Sequence, residues 1–169
     1  SLIGYERNSD RVPGTFYAPV LKNNNRWQWS ITLMQYDADP KHTTKAVTWY
    51  CWSLFAHHPI THTVPTESGS AYGPLYWGAG KDERRNNAMV WKGAVYNTTN
   101  SEDVPVTVKF LGVAPGSLGN LTILTNSIHD PYGYNDPFTG VNIVNTTNTI
   151  ITAQSDGTFR FNMPELSVA

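Results

Sequence analysis

The feature that most constrains the fold is the alternation of apolar and polar side chains in one short segment after another. The clearest case runs from Arg26 to Tyr36, where the apolar positions are Trp27, Trp29, Ile31 and Leu33. A period of two places the apolar side chains on one face of a β-strand and the polar ones on the other. The pattern therefore predicts a strand over 26–36.

The same period recurs along most of the chain. Further predicted strands are GTFYAPVL, Val47–Ala56, Met89–Val95, Val104–Phe110, NLTILT, VNIV, TIITAQS and TFRFNM. GTFYAPVL and the turn KNNN lead into segment 26–36, which predicts a hairpin. TIITAQS and TFRFNM meet across Asp156-Gly157, a dipeptide favoured in two-residue hairpin turns. This second hairpin would direct Phe159, Phe161 and Met163 inward.

Helical periodicity is missing from the sequence. No window of a dozen residues carries an apolar stripe at i, i+3, i+4 and i+7, and Asn, Thr, Gly and Pro recur at short intervals. Eight or nine short strands predict an all-β chain, an antiparallel β-sandwich of jelly-roll or galectin-like type, or a barrel, with little helix. At 169 residues we expect one domain over 1–169. The sequence begins at Ser1 without a methionine, so we expect a processed or trimmed piece.

Charge limits the partners. Charged residues make up 15% of the chain and the net charge is -1, with no basic run. A surface that neutralises phosphates is therefore not expected, and neither is contact with nucleic acid. No apolar run approaches the roughly 20 residues that a membrane span needs, so we expect no span.

The stretch WYCWSLFAHHPITHT combines the single cysteine with three of the five histidines. On a strand, Cys51 and His57 would lie roughly 20 Å apart, too far for a nucleophile and its base. We therefore interpret Cys51 as a small buried apolar residue. His57, His58 and His62 lack the spacing of a metal site, and Pro59 opposes the helix that would bring His58 and His62 together, so no metal is expected.

Motifs for catalysis are also missing. Asp37 and Asp39, in QYDADP, indicate an Asp-Pro turn rather than a calcium loop or a glycosidase pair. The sequence has no G-x-S-x-G, phosphate loop or dinucleotide fingerprint. We therefore predict that the chain is not an enzyme and needs no cofactor.

Aromatic residues predict where a ligand would bind. Two long irregular stretches, roughly 57–87 and 127–140, are rich in Gly, Pro, Tyr and Asn, and long loops in compact domains are often functional. The candidate ligand-binding residues in them are Tyr76, Trp77, Arg84, Arg85, Tyr132 and Tyr134. Their rings would stack on a sugar or a protein partner, and the arginines would pair with a carboxylate. The loops also allow the alternative that these rings only pack onto the sandwich.

One resemblance favours a viral protein. The segment VYNTTNSEDVPVTVKFLGVAPG resembles the coat proteins of non-enveloped viruses, and GTFYAPVLKNNNRWQWSITL, TWYCW and AYGPL are similar to the galectin-like head of the rotavirus spike. No binding residue is carried over from either family. The resemblance implies a virion structural protein, a coat subunit or a surface spike domain, that acts in capsid assembly and host attachment.

That interpretation specifies partners and location. The chain would associate with itself or with other capsid subunits, with a host glycan as a further ligand, and it would lie on the virion surface or in the shell. The alternative is a cellular or secreted carbohydrate-binding module of lectin type, located outside the cell. A lectin module works alone or as a small oligomer, whereas a shell subunit self-assembles.

Overall fold

A computed structural model describes residues 1–26, 29, 31–96, 102–127 and 130–169. The helices are α1 (Leu2–Arg7) and α2 (Val47–His57), with short 3₁₀ turns at Pro40–His42 and Glu83–Arg85. The strands are β1 (Leu21–Asn23), β2 (Met34–Tyr36), β3 (Thr44–Lys45), β4 (His62–Thr63), β5 (Leu75–Asp82), β6 (Ala88–Val95), β7 (Val104–Lys109), β8 (Leu118–Asn126), β9 (Val144–Thr152) and β10 (Thr158–Met163).

Strands dominate this architecture, with about 14% of the chain helical. The fold is an all-β sandwich, which confirms the predicted fold class and its low helix content. The β5–β6 hairpin packs against the antiparallel pair of β7 and β10. Between them lies a core of Val95, Val106 and Met163, flanked by the edge-to-face pair Trp91 and Phe161 with ring centroids 5.5 Å apart. The prediction that residues 1–169 form one domain stays a prediction.

Residues 167–169 complete the main sheet. Val168 bridges Ala94 of β6 on one side and Leu124 of β8 on the other. Its amide and carbonyl both bond to Leu124, at 2.9 Å and 2.7 Å. This short segment therefore joins the β4–β5–β6 sheet to the β8–β9 hairpin. In the described residues, the strands of that sheet and of that hairpin are not paired directly with each other.

Both helices lie against the β5–β6 hairpin. The ammonium of Lys92 in β6 is buried and binds the carboxylate of Glu6 in α1. It also lies 4.3 Å from the ring centroid of Phe55 in α2 and 3.5 Å from the Phe55 carbonyl. Desolvation raises the pKa of Glu6 and lowers the pKa of Lys92, and the attraction between the two opposes both shifts.

Several predicted strands are confirmed. Strands β6, β7, β8 and β10 lie where the alternation placed them. Phe159 and Met163 are buried, as predicted, and Phe161 packs against the core. In β7 and along most of β10 burial alternates from residue to residue, so the period of two in the sequence matches a real difference in burial there.

The strand predicted at Val47–Ala56 is wrong, because this segment is helix α2. Its apolar residues are nearly continuous, so it shows neither a helical stripe nor an alternation, and length and flanking residues decide such cases. The helix ends at His57, and Pro59 shortly afterwards prevents its continuation. Cys51 and His57 are therefore about 9 Å apart along the helix axis, rather than the 20 Å expected on a strand.

The predicted hairpins are also wrong. In segment 26–36 only Met34–Tyr36 is a strand, and it pairs with Leu21–Asn23 in parallel; Trp27, Gln28 and Ser30 lie outside the described residues. At the other end of the chain the turn at Asp156-Gly157 forms, with Gly157 at φ 75°. Its two strands nevertheless enter different sheets, since β9 pairs with β8 and β10 pairs with β7. A local turn signal does not specify which partner each strand takes.

The first predicted loop is wrong in part. Residues 75–82, within the stretch 57–87, form β5, which pairs with β6 along its whole length. The described part of the second stretch, 127 and 130–140, holds no helix or strand. The aromatic residues Tyr76 and Trp77 therefore lie on a strand, whereas Tyr132 and Tyr134 lie in a loop.

Candidate functional site

An aromatic cluster forms where α1 meets β5. The guanidinium carbon of Arg7 lies 4.4 Å from the ring centroid of Trp77 and 4.8 Å from that of Tyr72. Tyr72 also packs edge-to-face on Tyr76, with ring centroids 5.2 Å apart. Arg7 donates to the Trp77 carbonyl at 3.0 Å, which orients its guanidinium over the two rings. We call Arg7, Tyr72, Tyr76 and Trp77 the Arg7 cluster.

The Arg7 cluster includes two of the predicted site residues and has one open side. Trp77 and Tyr76 are half-buried, but Tyr72 is 48% exposed and Arg7 is exposed. A sugar ring presents C–H groups that pack on an aromatic face and hydroxyls that accept from a guanidinium. The cluster therefore offers both kinds of group to a saccharide at the edge of the sandwich.

The predicted arginines lie at the other end of β5 and already have a carboxylate partner. Asp82 is buried, and its carboxylate lies 3.4 Å from Nε of Arg84 and 3.6 Å from Nε of Arg85. Arg85 also donates to the His57 carbonyl at 2.7 Å, at the C-terminus of α2. A cation at this end of a helix satisfies a free carbonyl and the helix dipole. The two arginines thus hold α2 and the β5–β6 turn together.

Tyr132 and Tyr134 are exposed in the loop that follows β8. Buried Asn135 anchors this loop by donating to the Lys45 carbonyl at 2.8 Å and accepting from the Ile143 amide at 2.9 Å. Within the described ranges, no ring contact, hydrogen bond or ion pair connects either tyrosine to the Arg7 cluster. The six predicted residues therefore fall into three separate places.

The histidines have separate partners. His57 contacts the Ser53 carbonyl at 2.7 Å, His58 lies 3.1 Å from Arg85, and His62 lies 3.3 Å from Glu83. Burial and the nearby Arg85 lower the pKa of His58. Among the residues that the structure describes, which exclude His129, no three His, Cys, Asp or Glu side chains converge on one point.

Asp37 and Asp39 form the predicted turn. Asp39 caps the 3₁₀ turn at Pro40–His42 by accepting from the Lys41 amide at 3.0 Å. Asp37 accepts from the Asp39 amide and pairs with His42 at 2.8 Å. Both carboxylates therefore stabilise the local turn through contacts within residues 37–42.

Cys51 lies half-buried in α2 beside a cavity of about 50 Å³ that Val47, Leu124 and Val168 help to line. Desolvation raises the pKa of its thiol. Since the thiolate is the reactive form, the structure supports the interpretation of an inert residue.

A surface of exposed apolar side chains covers the segment between the two helices. Its members are Phe16, Val20, Leu21, Trp29, Ile31 and Tyr36, which we call the 16–36 surface. Phe16 is 97% exposed and Ile31 is 65% exposed. The two halves of the segment are held together by the pairing of Leu21 with Met34 and by the buried Thr32, which donates to the Val20 carbonyl at 3.0 Å. This short segment is thus rich in large apolar side chains that are exposed.

Sequence reasoning missed two residues of these sites. Local sequence does not identify Arg7, because α1 has only six residues and no apolar stripe. Local sequence does not single out Asp82 either, although it lies two residues before Arg84 in KDERR. The alternation over 26–36 predicts a strand with one buried face, whereas Trp29 and Ile31 are exposed.

These features define an all-β sandwich with exposed apolar side chains in segment 16–36 and an aromatic cluster where α1 meets β5. Residues 1–167 match the family described as alpha-L-arabinofuranosidase C-terminal domain. The chain is 33% identical over 174 residues to the probable alpha-L-arabinofuranosidase A of Aspergillus niger, and to the alpha-L-arabinofuranosidase A of Aspergillus kawachii. Each alignment covers 99% of this chain and 24% of the relative. The chain belongs to the family of alpha-L-arabinofuranosidase C-terminal domains.

A solved structure shows the same fold. The alpha-L-arabinofuranosidase of Thermotoga maritima, crystallised as an arabinose complex, matches with a TM-score of 0.73 at 15% identity. The match covers 99% of this chain and 35% of that chain. The chain spans about a quarter of the length of the curated relatives named above.

The family corrects the viral interpretation. The resemblance to coat and spike-head proteins is wrong, and so are the predicted virion function and the capsid partners, because the relatives are arabinofuranosidases. The prediction that the chain is not an enzyme is contradicted as well, because the relatives are named alpha-L-arabinofuranosidases and the matching family is that enzyme's C-terminal domain. A location in the virion has no support, and no helix in the described residues is long and apolar enough to span a membrane.

Proposed function

We propose that this chain is the C-terminal part of an alpha-L-arabinofuranosidase and contributes to the hydrolysis of α-L-arabinofuranosides. The observation that carries the proposal is the family match over 1–167 together with relatives about four times as long. The alternative of a carbohydrate-binding module is closer to this function than the viral one. We also propose an extracellular location, where polysaccharide substrates occur.

In this proposal the 16–36 surface docks the chain onto the remaining three quarters of the polypeptide. Large apolar side chains such as Phe16 and Ile31 would contribute about 1.5–3 kcal/mol each when they move from water into an interface. The parallel pairing of β1 with β2 also differs from the antiparallel pairing in the sandwich. The occupant is therefore the part of the same enzyme that precedes the matched region in the relatives.

Two carboxylates that already have structural partners support the proposal that this chain docks onto the rest of the enzyme. Asp82 pairs with Arg84 and Arg85, and Glu6 pairs with Lys92. A glycosidase acid or nucleophile must reach the substrate, and these groups instead hold structural elements together. We propose that the reacting carboxylates belong to the docked portion and that this chain stabilises it.

The docking proposal is tested in the complete polypeptide. Ile31→Asp should lower both the thermal midpoint and the hydrolysis of an aryl α-L-arabinofuranoside, because it places a charge in the interface. Leu111→Asp is the matched control, since Leu111 is also an exposed apolar residue and lies after β7. Equal behaviour of the two variants would contradict docking through the 16–36 surface. Absence of hydrolysis by the unmodified enzyme would contradict the proposed activity itself.

The second candidate function is saccharide contact at the Arg7 cluster, favoured by the exposed ring of Tyr72 beside the Arg7 guanidinium. Tyr72→Ala should weaken binding of arabino-oligosaccharides about tenfold in calorimetric titrations. Tyr132→Ala is the comparison, because Tyr132 is exposed in a different loop. Loss of binding only in Tyr132→Ala would place the site in that loop, and unchanged binding in both variants would exclude both predicted positions.

A further inference from the structure

Asn120 occupies an exposed position in β8 and begins the tripeptide Asn120-Leu121-Thr122. Asn-x-Thr is the acceptor sequence for N-linked glycosylation. A second described tripeptide of this type starts at Asn145 in β9, which is also exposed, and a third at Asn97 lies outside the described residues. The surroundings of Asn120 and Asn145 differ.

Apolar side chains border Asn120 on the same face of the hairpin. Ile150 is its direct cross-strand partner, and Leu118 precedes it by two residues in β8. Residues in these two relations point the same way from a sheet. Ile150 is 67% exposed and Leu118 is 72% exposed, so the structure leaves a polar acceptor between two uncovered apolar groups.

The surface beside Asn120 is concave. An open depression of about 280 Å³ is lined by Asn120, Thr122, Asn148 and Ile150, among others. The Thr122 hydroxyl donates to Asn148 Oδ1 at 2.7 Å, which holds the floor of the depression in one arrangement. Asn145, in contrast, lies opposite Thr125 on the other face, in a run of threonines and asparagines.

We propose that Asn120 carries an N-linked glycan whose first N-acetylglucosamine lies over Leu118 and Ile150. The inference rests on the extracellular location in the proposed function, since the modification occurs on the secretory route. In the transfer, the Asn120 side-chain nitrogen bonds to the anomeric carbon of a lipid-diphosphate-linked oligosaccharide. The bond from that carbon to the diphosphate oxygen breaks, its electron pair leaves with the lipid diphosphate, and the amide loses one proton.

The sugar has a physical reason to rest there. The C–H face of the first pyranose ring would remove apolar surface of Ile150 and Leu118 from water. Its acetamido group and hydroxyls would meet the polar floor at Thr122 and Asn148. The glycan would also shield β9, whose outer edge has no strand partner among the described residues.

The test expresses the complete polypeptide through a yeast secretory pathway with a cleavable leader. After endoglycosidase H, peptide mass spectrometry should find one N-acetylglucosamine on Asn120. Thr122→Val should abolish it, and the matched variant Thr122→Ser should keep it. A chain that enters the pathway and remains unmodified at Asn120 overturns the proposal, and modification of Asn145 alone overturns it as well.

A second measurement tests the position of the sugar. Protein with one N-acetylglucosamine should melt about 2–4 °C above protein from which the glycan is fully removed. Ile150→Ser should abolish that difference, whereas Ile151→Ser, next in the strand on the opposite face, should retain it. An equal difference in both variants overturns the proposed placement. Hydrolysis assays on the same samples separate the two proposals. A protein that is active but carries no glycan on Asn120 contradicts the glycosylation proposal and leaves the proposed enzymatic function intact.

Discussion

Lys92 of β6 binds Glu6 of α1 across 86 positions of sequence, and the ring and carbonyl of Phe55 in α2 contact the same ammonium. One buried cation thus connects both helices to the sandwich. Removing one partner of such a pair leaves an uncompensated charge, which costs more than the pair contributes.

The first prediction concerns that pair. Lys92→Met should lower the free energy of unfolding by about 3 kcal/mol, because Glu6 then lies partly buried without its cation. The double variant Glu6→Leu with Lys92→Met should recover most of the loss, to within about 1 kcal/mol of wild type. Urea denaturation of wild type, Lys92→Met, Glu6→Leu and the double variant measures the coupling between the two side chains. Additive losses in the double variant would show that the two side chains do not interact.

The second prediction is the pH dependence of stability. The pKa of Glu6 is raised above 4.5 by desolvation, so the native state binds this proton more tightly than the unfolded state. The contribution of Glu6 to the unfolding free energy therefore falls as pH rises from about 4.5 through its native pKa. Wild type should lose stability in that window relative to Glu6→Gln. Parallel stability curves for the two proteins would refute the raised pKa.

The third prediction compares two glycines in β5. A Cβ at Gly80 would collide with the His62 carbonyl and with Cγ2 of Ile60, so Gly80→Ala should cost about 2 kcal/mol or more. A Cβ at Gly78 would make ordinary contacts with Arg7 Cγ at 3.5 Å and Ile3 Cγ2 at 3.6 Å. Gly78→Ala should therefore change the stability by less than about 1 kcal/mol. Thermal denaturation of the two variants measures both losses of stability. A larger loss for Gly78→Ala than for Gly80→Ala would contradict the packing of β4 on β5.

The fourth prediction concerns Asp156, whose pKa is lowered from 3.8 to about 2. The main cause is the Thr158 hydroxyl, which donates at 2.6 Å; the Thr158 amide and Arg160 add to it. The resulting stability is present above pH 3.8 and is lost as pH falls through about 2. In a carboxyl NMR titration, Thr158→Val should move the midpoint towards 3.8. An unchanged midpoint would assign the shift to another group.

Sequence patterns predicted the strands that have one face in the core and failed elsewhere. Alternation identified β7 and β10 because their neighbours bury mainly one side of each. The same alternation at 26–36 occurs where Ile31 and Trp29 are exposed, and the pattern alone does not say what covers them. The sequence pattern does not predict helix α2, because apolar residues lie on most sides of this helix.

The sequence predicts some of the residue types at the candidate site but not which residues lie next to one another in space. Trp77 and Tyr76 do belong to an aromatic cluster, but Arg7 comes from a distant helix that local sequence does not connect to them. Arg84 does pair with a carboxylate, although the partner is Asp82 rather than a ligand. Contacts between residues 70 positions apart depend on strand order, which no local signal specifies.

The position of residues 167–169 between β6 and β8 has a consequence for synthesis. During translation, both hairpins leave the ribosome well before this segment does, and each exposes a row of unpaired amides and carbonyls. The nascent chain therefore holds two open sheet edges until residues 167–169 arrive. A chaperone that shields strand edges would act in that interval, and chains that stall before residue 167 would be the ones that aggregate.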